Sequence, residues 1–173
     1  MPANYQAPMR GDKVDKRTLS QTKNTNLKAE SATVGHLLAG KNRDVFTIQP
    51  GDTLGRAVEV LRDRRVGALL ATDDAGALVG ILSERDIVRK LADTPGVTLP
   101  KLVDEVMTKE VQTCTEEDDL VSVLRRMTAG KFRHMPVVNG TKLVGMITIG
   151  DVITYRLSEL EHETLQLKQL IVG

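Results

Sequence analysis

The residues of this 173-residue chain best suited to chemistry stand between Arg133 and Asp151, in the stretch RHMPVVNGTKLVGMITIGD. An Arg133-His134 pair offers a permanent cation and an imidazole, Thr148 a hydroxyl, and Asp151 a carboxylate. Thr148-Ile149-Gly150-Asp151 reads as the opening of a helix, where free backbone amides favour an anion. An aspartate one turn into that helix can accept both hydroxyls of a ribose, while the Thr148 hydroxyl and the amides donate to a phosphate. Gly150 leaves the backbone accessible. An aliphatic slot of Val111, Met135, Pro136 and Ile147 can hold a flat base by burial, with strand-edge amides and carbonyls reading its polar rim. The set suits gripping a phosphorylated, ribose-bearing ligand rather than transforming one, and it puts Arg133 and Asp151 on one shared cavity.

Catalytic and metal chemistry find less support. His134 as a general base has no Ser, Cys or paired acid placed to form a triad with it, so a phosphate-side role is expected and the chain is not read as an enzyme. His36 and His162 lack ligand spacing for zinc. Glu116-Glu117-Asp118-Asp119 is contiguous, unlike a calcium loop, and reads as the acidic start of a helix. Cys114, the one cysteine, rules out an internal disulfide, fits a reducing compartment and reads as a buried, inert thiol.

Two strands joined at Asn139-Gly140 must position the first group of residues. Upstream, residues 1–32 are polar and aperiodic and are expected to form a flexible arm. From Thr33 come a short helix around Val34–Leu38, a strand over Val45–Ile48, a turn at Pro50-Gly51-Asp52 and a helix with Leu54, Val58 and Leu61 on one face. Apolar strands at Gly67–Thr72 and Ala77–Leu82 follow, then a helix over Glu84–Leu91 closed by Thr94-Pro95-Gly96.

The second half repeats the first. A shift of 66 residues lays Val45 on Val111, Asp52 on Asp118 and Leu54 on Leu120; beyond the hairpin turn a shift of 65 lays Ser83 on Thr148 and Asp86 on Asp151. Units too small to bury both faces of their sheets alone imply two copies packed with pseudo-two-fold symmetry. Expected boundaries are 33–96 and 97–156, with an amphipathic helix over 157–173. In that helix Leu157, Leu160, Thr164, Leu167 and Ile171 keep helical spacing among acidic residues and Lys168. Two readings of it stand open: a helix folded back on its own domain, and a seam between subunits.

Ser83-x-x-Asp86 and Thr148-x-x-Asp151 are also capping boxes, which need no ligand. At the second site Arg133, His134 and Gly150 add a case for one. At the first, Gly67 and Ala68 stand where Arg133 and His134 would be, and Arg85 replaces Gly150. One good site, the second, and one weaker or differently selective site are expected.

The paired G-h-h-[ST]-x-x-D steps, with RHMPV in the second copy, resemble a tandem of cystathionine-β-synthase-type (CBS) domains, a Bateman module, over Thr33–Arg156. The resemblance implies an α+β fold of two β-α-β-β-α repeats with a cleft between them that binds AMP, ADP, ATP, NAD(H) or an S-adenosyl ligand, AMP foremost. It implies a homodimer, and a regulated partner protein that the sequence leaves unidentified. It assigns Thr148 and Asp151 to phosphate and ribose, Arg133 and His134 to phosphate, and a strand at Val111–Thr113 with Met135 and Pro136 to the base. Ser83, Arg85 and Asp86 form the corresponding first site. A constitutive scaffold without ligand response is the alternative.

Composition narrows the remainder. The chain has no Trp, two Phe and two Tyr, so aromatic platforms for single-stranded nucleic acid are missing. Net charge is +1, and the first 31 residues carry six Lys/Arg against three Asp/Glu, leaving the rest without a basic footprint for duplex DNA. No apolar run approaches the length of a membrane span, so no membrane insertion is expected. A cytoplasmic location is expected, with organelle import, suggested by the Lys-, Arg-, Ser- and Thr-rich stretch Arg10–Lys28, as the alternative.

Overall fold

The computed structural model describes residues 32–172. The polar arm expected over 1–32 lies outside the described residues apart from Ala32, which is buried in the core.

The first repeat holds β1 (Thr47–Ile48), α2 (Leu54–Arg64), β2 (Ala68–Thr72), β3 (Leu78–Ser83) and α3 (Glu84–Asp93), preceded by the short helix α1 (Val34–Ala39). A 3₁₀ turn at Val103–Glu105 leads to the second repeat: α4 (Leu120–Gly130), β4 (His134–Asn139), β5 (Lys142–Thr148) and α5 (Ile149–Val172). β1 runs parallel to β2, which pairs antiparallel with β3; β4 pairs antiparallel with β5. Both hairpin turns follow from their residues. Asp73 Oδ1 accepts from the Ala75 and Ala77 amides, and Gly76 and Gly140 take the positive φ that such turns require.

Three expectations change. The strand expected over Val111–Thr113 is absent, and only Cys114 pairs, by one parallel bridge to Val137. β1 is confined to Thr47–Ile48, without Val45 and Phe46. On α2 the buried residues are Leu54, Ala57 and Leu61, while Val58 is exposed, so the core-facing stripe runs through the small residue rather than the β-branched one.

The two repeats exchange segments. α1 belongs to the core of the second repeat: Val34, Leu37 and Leu38 pack with Leu120, Met127, Met135, Val137, Ile147 and Val152. Val103 and Met107, beyond the first repeat, complete the core of the first with Ile48, Leu54, Leu61, Leu69 and Leu82. Backbone bonds lock both exchanges, Val34 N to Asp118 O at 2.9 Å and Val103 N to Asp52 O at 2.8 Å. Paired glycines make room. Met107 lies directly over Gly80, and Leu38 over Gly145, where a built Cβ would come within 3.2 Å of its Cδ2. The chain therefore crosses between repeats twice, at 40–46 and 108–113.

Cys114 is buried, its Sγ 3.7 Å from the Pro136 carbonyl; burial and nearby Asp118 push its thiol up to about 12, against the pull of Arg126. No described helix is long and apolar enough to cross a membrane.

Candidate functional site

The crossovers decide which residues meet. A cavity of about 440 Å³ opens where the cap of α3 faces the second crossover. It is lined by Ser83, Glu84, Arg85, Asp86 and Arg89 of the first repeat, by Thr108, Glu110, Val111 and Gln112 of the crossover, and by Lys131, Arg133 and His134 of the second repeat. Gly67 and Ile81 supply its floor.

The sequence had grouped Val111, Arg133 and His134 with Thr148 and Asp151. In the fold Val111, Arg133 and His134 line a cavity with Ser83, Arg85 and Asp86, and Asp151 lines a different one. Arg133 and Asp151 do not share a cavity. The reason is geometric: across the pseudo-two-fold, the strand end of one repeat and the crossover leading into it face the helix cap of the other. Met135 and Pro136 are buried in the second core instead of lining a base slot, with the Pro136 carbonyl accepting from Cys114 N at 3.0 Å. Ile147 is likewise fully buried. Thr113 offers its carbonyl to Arg126 Nη2 at 2.5 Å. Gly150 is exposed on α5.

Both caps form, and both leave an acceptor over. Asp86 Oδ2 accepts from the Ser83 amide at 2.9 Å and the Ser83 hydroxyl at 2.5 Å. Asp151 Oδ2 accepts from the Thr148 amide at 2.7 Å, and Thr148 Oγ1 accepts from the Asp151 amide at 3.1 Å. Among the described residues Oδ1 of each aspartate accepts no hydrogen bond, so capping and ligand contact are compatible in one side chain.

The caps differ in charge. Lys41 Nζ donates to Asp151 Oδ2 at 2.5 Å and to the Met146 carbonyl at 3.3 Å. Burial pushes the Asp151 carboxyl up, but the bonds from Lys41 and Thr148 outweigh it and hold the group below the usual carboxylate range. The residue that follows Lys41 by the 66-residue shift is Met107, buried, and among the described residues no cation forms a salt bridge with Asp86. Asp151 instead lines an open groove of about 890 Å³ between Lys41, Asn42 and α5.

Around Asp86 the cations Arg85, Arg89, Lys131 and Arg133 outnumber the carboxylates Glu84, Asp86 and Glu110. Among the described residues none of these four cations forms a salt bridge. Arg85 reaches across the repeats, Nη1 to the Lys131 carbonyl at 3.1 Å. His134 stands between the two caps. A Cβ on Gly67 would lie 3.3 Å from its ring, and β4–β5 pairing sets it opposite Thr148. Burial pulls its pKa down, Glu84 and Asp151 push it up, and Lys41 and Arg133 pull it further down; the outcome is below the ordinary value.

Lys41, Arg89 and Lys131 are the residues that sequence reasoning missed. Arg89 was within reach of it, one helical turn beyond Arg85 and Asp86. The acidic run proves engaged: Glu116 with Arg43 at 2.7 Å, Asp118 with Arg126 at 3.5 Å, and Asp119 capping α4 through the Ser122 amide at 2.8 Å.

A tandem α+β module with a cation-rich cleft between its halves is the class that this arrangement defines. The family model described as the CBS domain matches residues 34–93 and 103–158, and the chain belongs to that family. It is 30% identical over 152 residues to the CBS domain-containing protein CBSX3, mitochondrial, of Arabidopsis thaliana, covering 83% of this chain and 74% of that protein. A CBS-domain containing protein of Agrobacterium tumefaciens, solved by crystallography, is 37% identical with a TM-score of 0.71, over 73% of this chain and 94% of that one. The crystal structure of CBSX2 in complex with AMP matches at 26% identity and a TM-score of 0.64, over 73% and 97% of the two chains.

Proposed function

We propose that this chain is a regulatory module that binds an adenosine-type nucleotide in the Asp86 cavity and, by its occupancy, changes affinity for a partner protein. The observation that carries the reading is a cavity of about 440 Å³ in which four cations without a salt bridge among the described residues surround a helix N-terminus and an aspartate whose Oδ1 accepts no hydrogen bond from them. Asp86 Oδ1 accepts ribose hydroxyls. Arg85, Arg133, Lys131 and Arg89 meet phosphate, and Ile81 and Val111 flank the base while the Val111 backbone reads its edge. The cation count favours more than one phosphate, so ADP, ATP and NAD(H) stand beside AMP. The relative solved with AMP supports the adenosine part of the reading. Asp151, held by Lys41, is the second and weaker site.

In this reading the chain works as a homodimer, which the exposed apolar residues Val88 and Leu91 on α3 and Leu157 and Leu160 on α5 support. Its compartment is the cytosol, or an organelle as the mitochondrial relative would have it; a fluorescent fusion of the full chain separates the two.

Thermal melting with AMP, ATP and NADH tests the site. A nucleotide at a hundred times its dissociation constant stabilises by about 2.7 kcal/mol. Asp86→Ala is expected to abolish that gain and Asp151→Ala to leave most of it. The opposite pattern moves the main site to Asp151, and flat melting curves with every nucleotide favour a scaffold without ligand response.

A further inference from the structure

The distal part of α5 carries an apolar face that no other described residue covers. Leu157, Leu160, Leu167 and Ile171 are 56%, 50%, 61% and 83% exposed, and every side chain over 161–171 is exposed. Among the described residues this face packs on no other part of the domain, which favours the second of the two readings that the sequence left open, a seam between subunits. α5 is continuous from Ile149, and its body side holds Val152, buried, Tyr155, packed on the core, and Glu159 and His162, which line the groove beside Lys41 together with Glu163.

Spacing limits what can cover the free face. Ile153, Leu157, Leu160, Thr164, Leu167 and Ile171 alternate by four and three residues, the a/d repeat by which one helix pairs with another like itself. Charge then selects the direction. In parallel, in-register pairing the flanking g and e positions bring Glu163 to Lys168 of the second copy, and Arg156 to its Glu161, each on both sides by symmetry. An antiparallel pairing of full overlap sets Glu161 and Glu163 each against its own copy.

We propose that α5 pairs in parallel and in register with α5 of a second copy of this chain, as a short two-stranded coiled coil. This names a surface for the homodimer set out above and rests on that reading for its stoichiometry.

Cross-linking in the full-length protein tests it. Cys114 is buried, so Leu167→Cys introduces the one accessible thiol among the described residues. Under mild oxidation Leu167→Cys is expected to form a disulfide-linked dimer with itself. Adding Lys168→Glu should cut the linked fraction several-fold, and the exchange Glu163→Lys with Lys168→Glu should restore it. Circular dichroism melts of each variant confirm the fold. A dimer by sedimentation in which Leu167→Cys fails to cross-link overturns this surface and leaves the homodimer standing. A monomer by sedimentation overturns both. Linkage only between mixed Leu157→Cys and Leu167→Cys chains makes the pairing antiparallel and overturns the direction.

Discussion

His134 is the side chain on which both caps converge, facing Glu84 from one repeat and Asp151, Lys41 and Arg133 from around the other. Burial holds its pKa below the ordinary value, so it remains neutral in the fold at a pH where the unfolded chain, near 6.5, takes up a proton. The unfolded state therefore binds more protons, and stability should fall as pH drops from about 6.5 toward the folded value, and should be level above about 6.5. Urea midpoints between pH 5 and 7.5 should show this slope in the native chain and less of it in His134→Gln; an unchanged slope assigns the titration elsewhere. Residue types at this scale were legible in the sequence: the Arg-His pair, both hydroxyl-x-x-Asp caps and the vacancy at Gly67 were all visible. Their grouping was not. Neighbours along the chain are not neighbours across the cavity, because the pseudo-two-fold sends Arg133 to the Asp86 side. The same symmetry predicted from the repeat contained the signal, since repeats facing each other bring strand ends to opposite caps.

Among the elements, α2 and α4 end alike. Arg65 and Lys131 close them in the left-handed region, at φ 55 and 56°, where glycine is usual and other residues are strained. Arg65 lies outside the lining of the Asp86 cavity and Lys131 lines it. Both Arg65→Gly and Lys131→Gly are expected to stabilise the chain by about 1 kcal/mol, the usual relief of such a residue. Only Lys131→Gly should also weaken binding of ATP, with a smaller effect on AMP, as titration calorimetry would read. Equal losses in both variants would argue against a phosphate role for Lys131. Sequence periodicity gave the helices and hairpins because their turns and caps are local. It overextended the strands at Val45 and Val111; at Val111 the apolar residue is called for by the cleft rather than by a ladder.

The whole molecule is held by the exchanged segments. Leu38 sits 1% exposed in the core of the second repeat, although its sequence neighbours after α1 build the first. Leu38→Ala should cost roughly 2–5 kcal/mol, as other buried leucines do. Hydrogen exchange should show the loss first in β4 and β5, about a hundred residues away along the chain. Loss confined to the first repeat would refute the exchange. The repeat shift revealed two copies and their packing, but α1 has no apolar partner within its own stretch of sequence, so nothing local marked which copy it joins.

That exchange also sets an order of events during synthesis. The apolar side of α1 emerges early, yet Met135, Ile147 and Val152, against which it comes to rest, emerge about a hundred residues later. At the usual pace of about 5–20 residues per second, a six-residue helix must wait on the order of ten seconds for its seat. The first copy can close as soon as Met107 has left the ribosome, so a nascent chain holds one finished half while Val34, Leu37 and Leu38 are still open to chaperones.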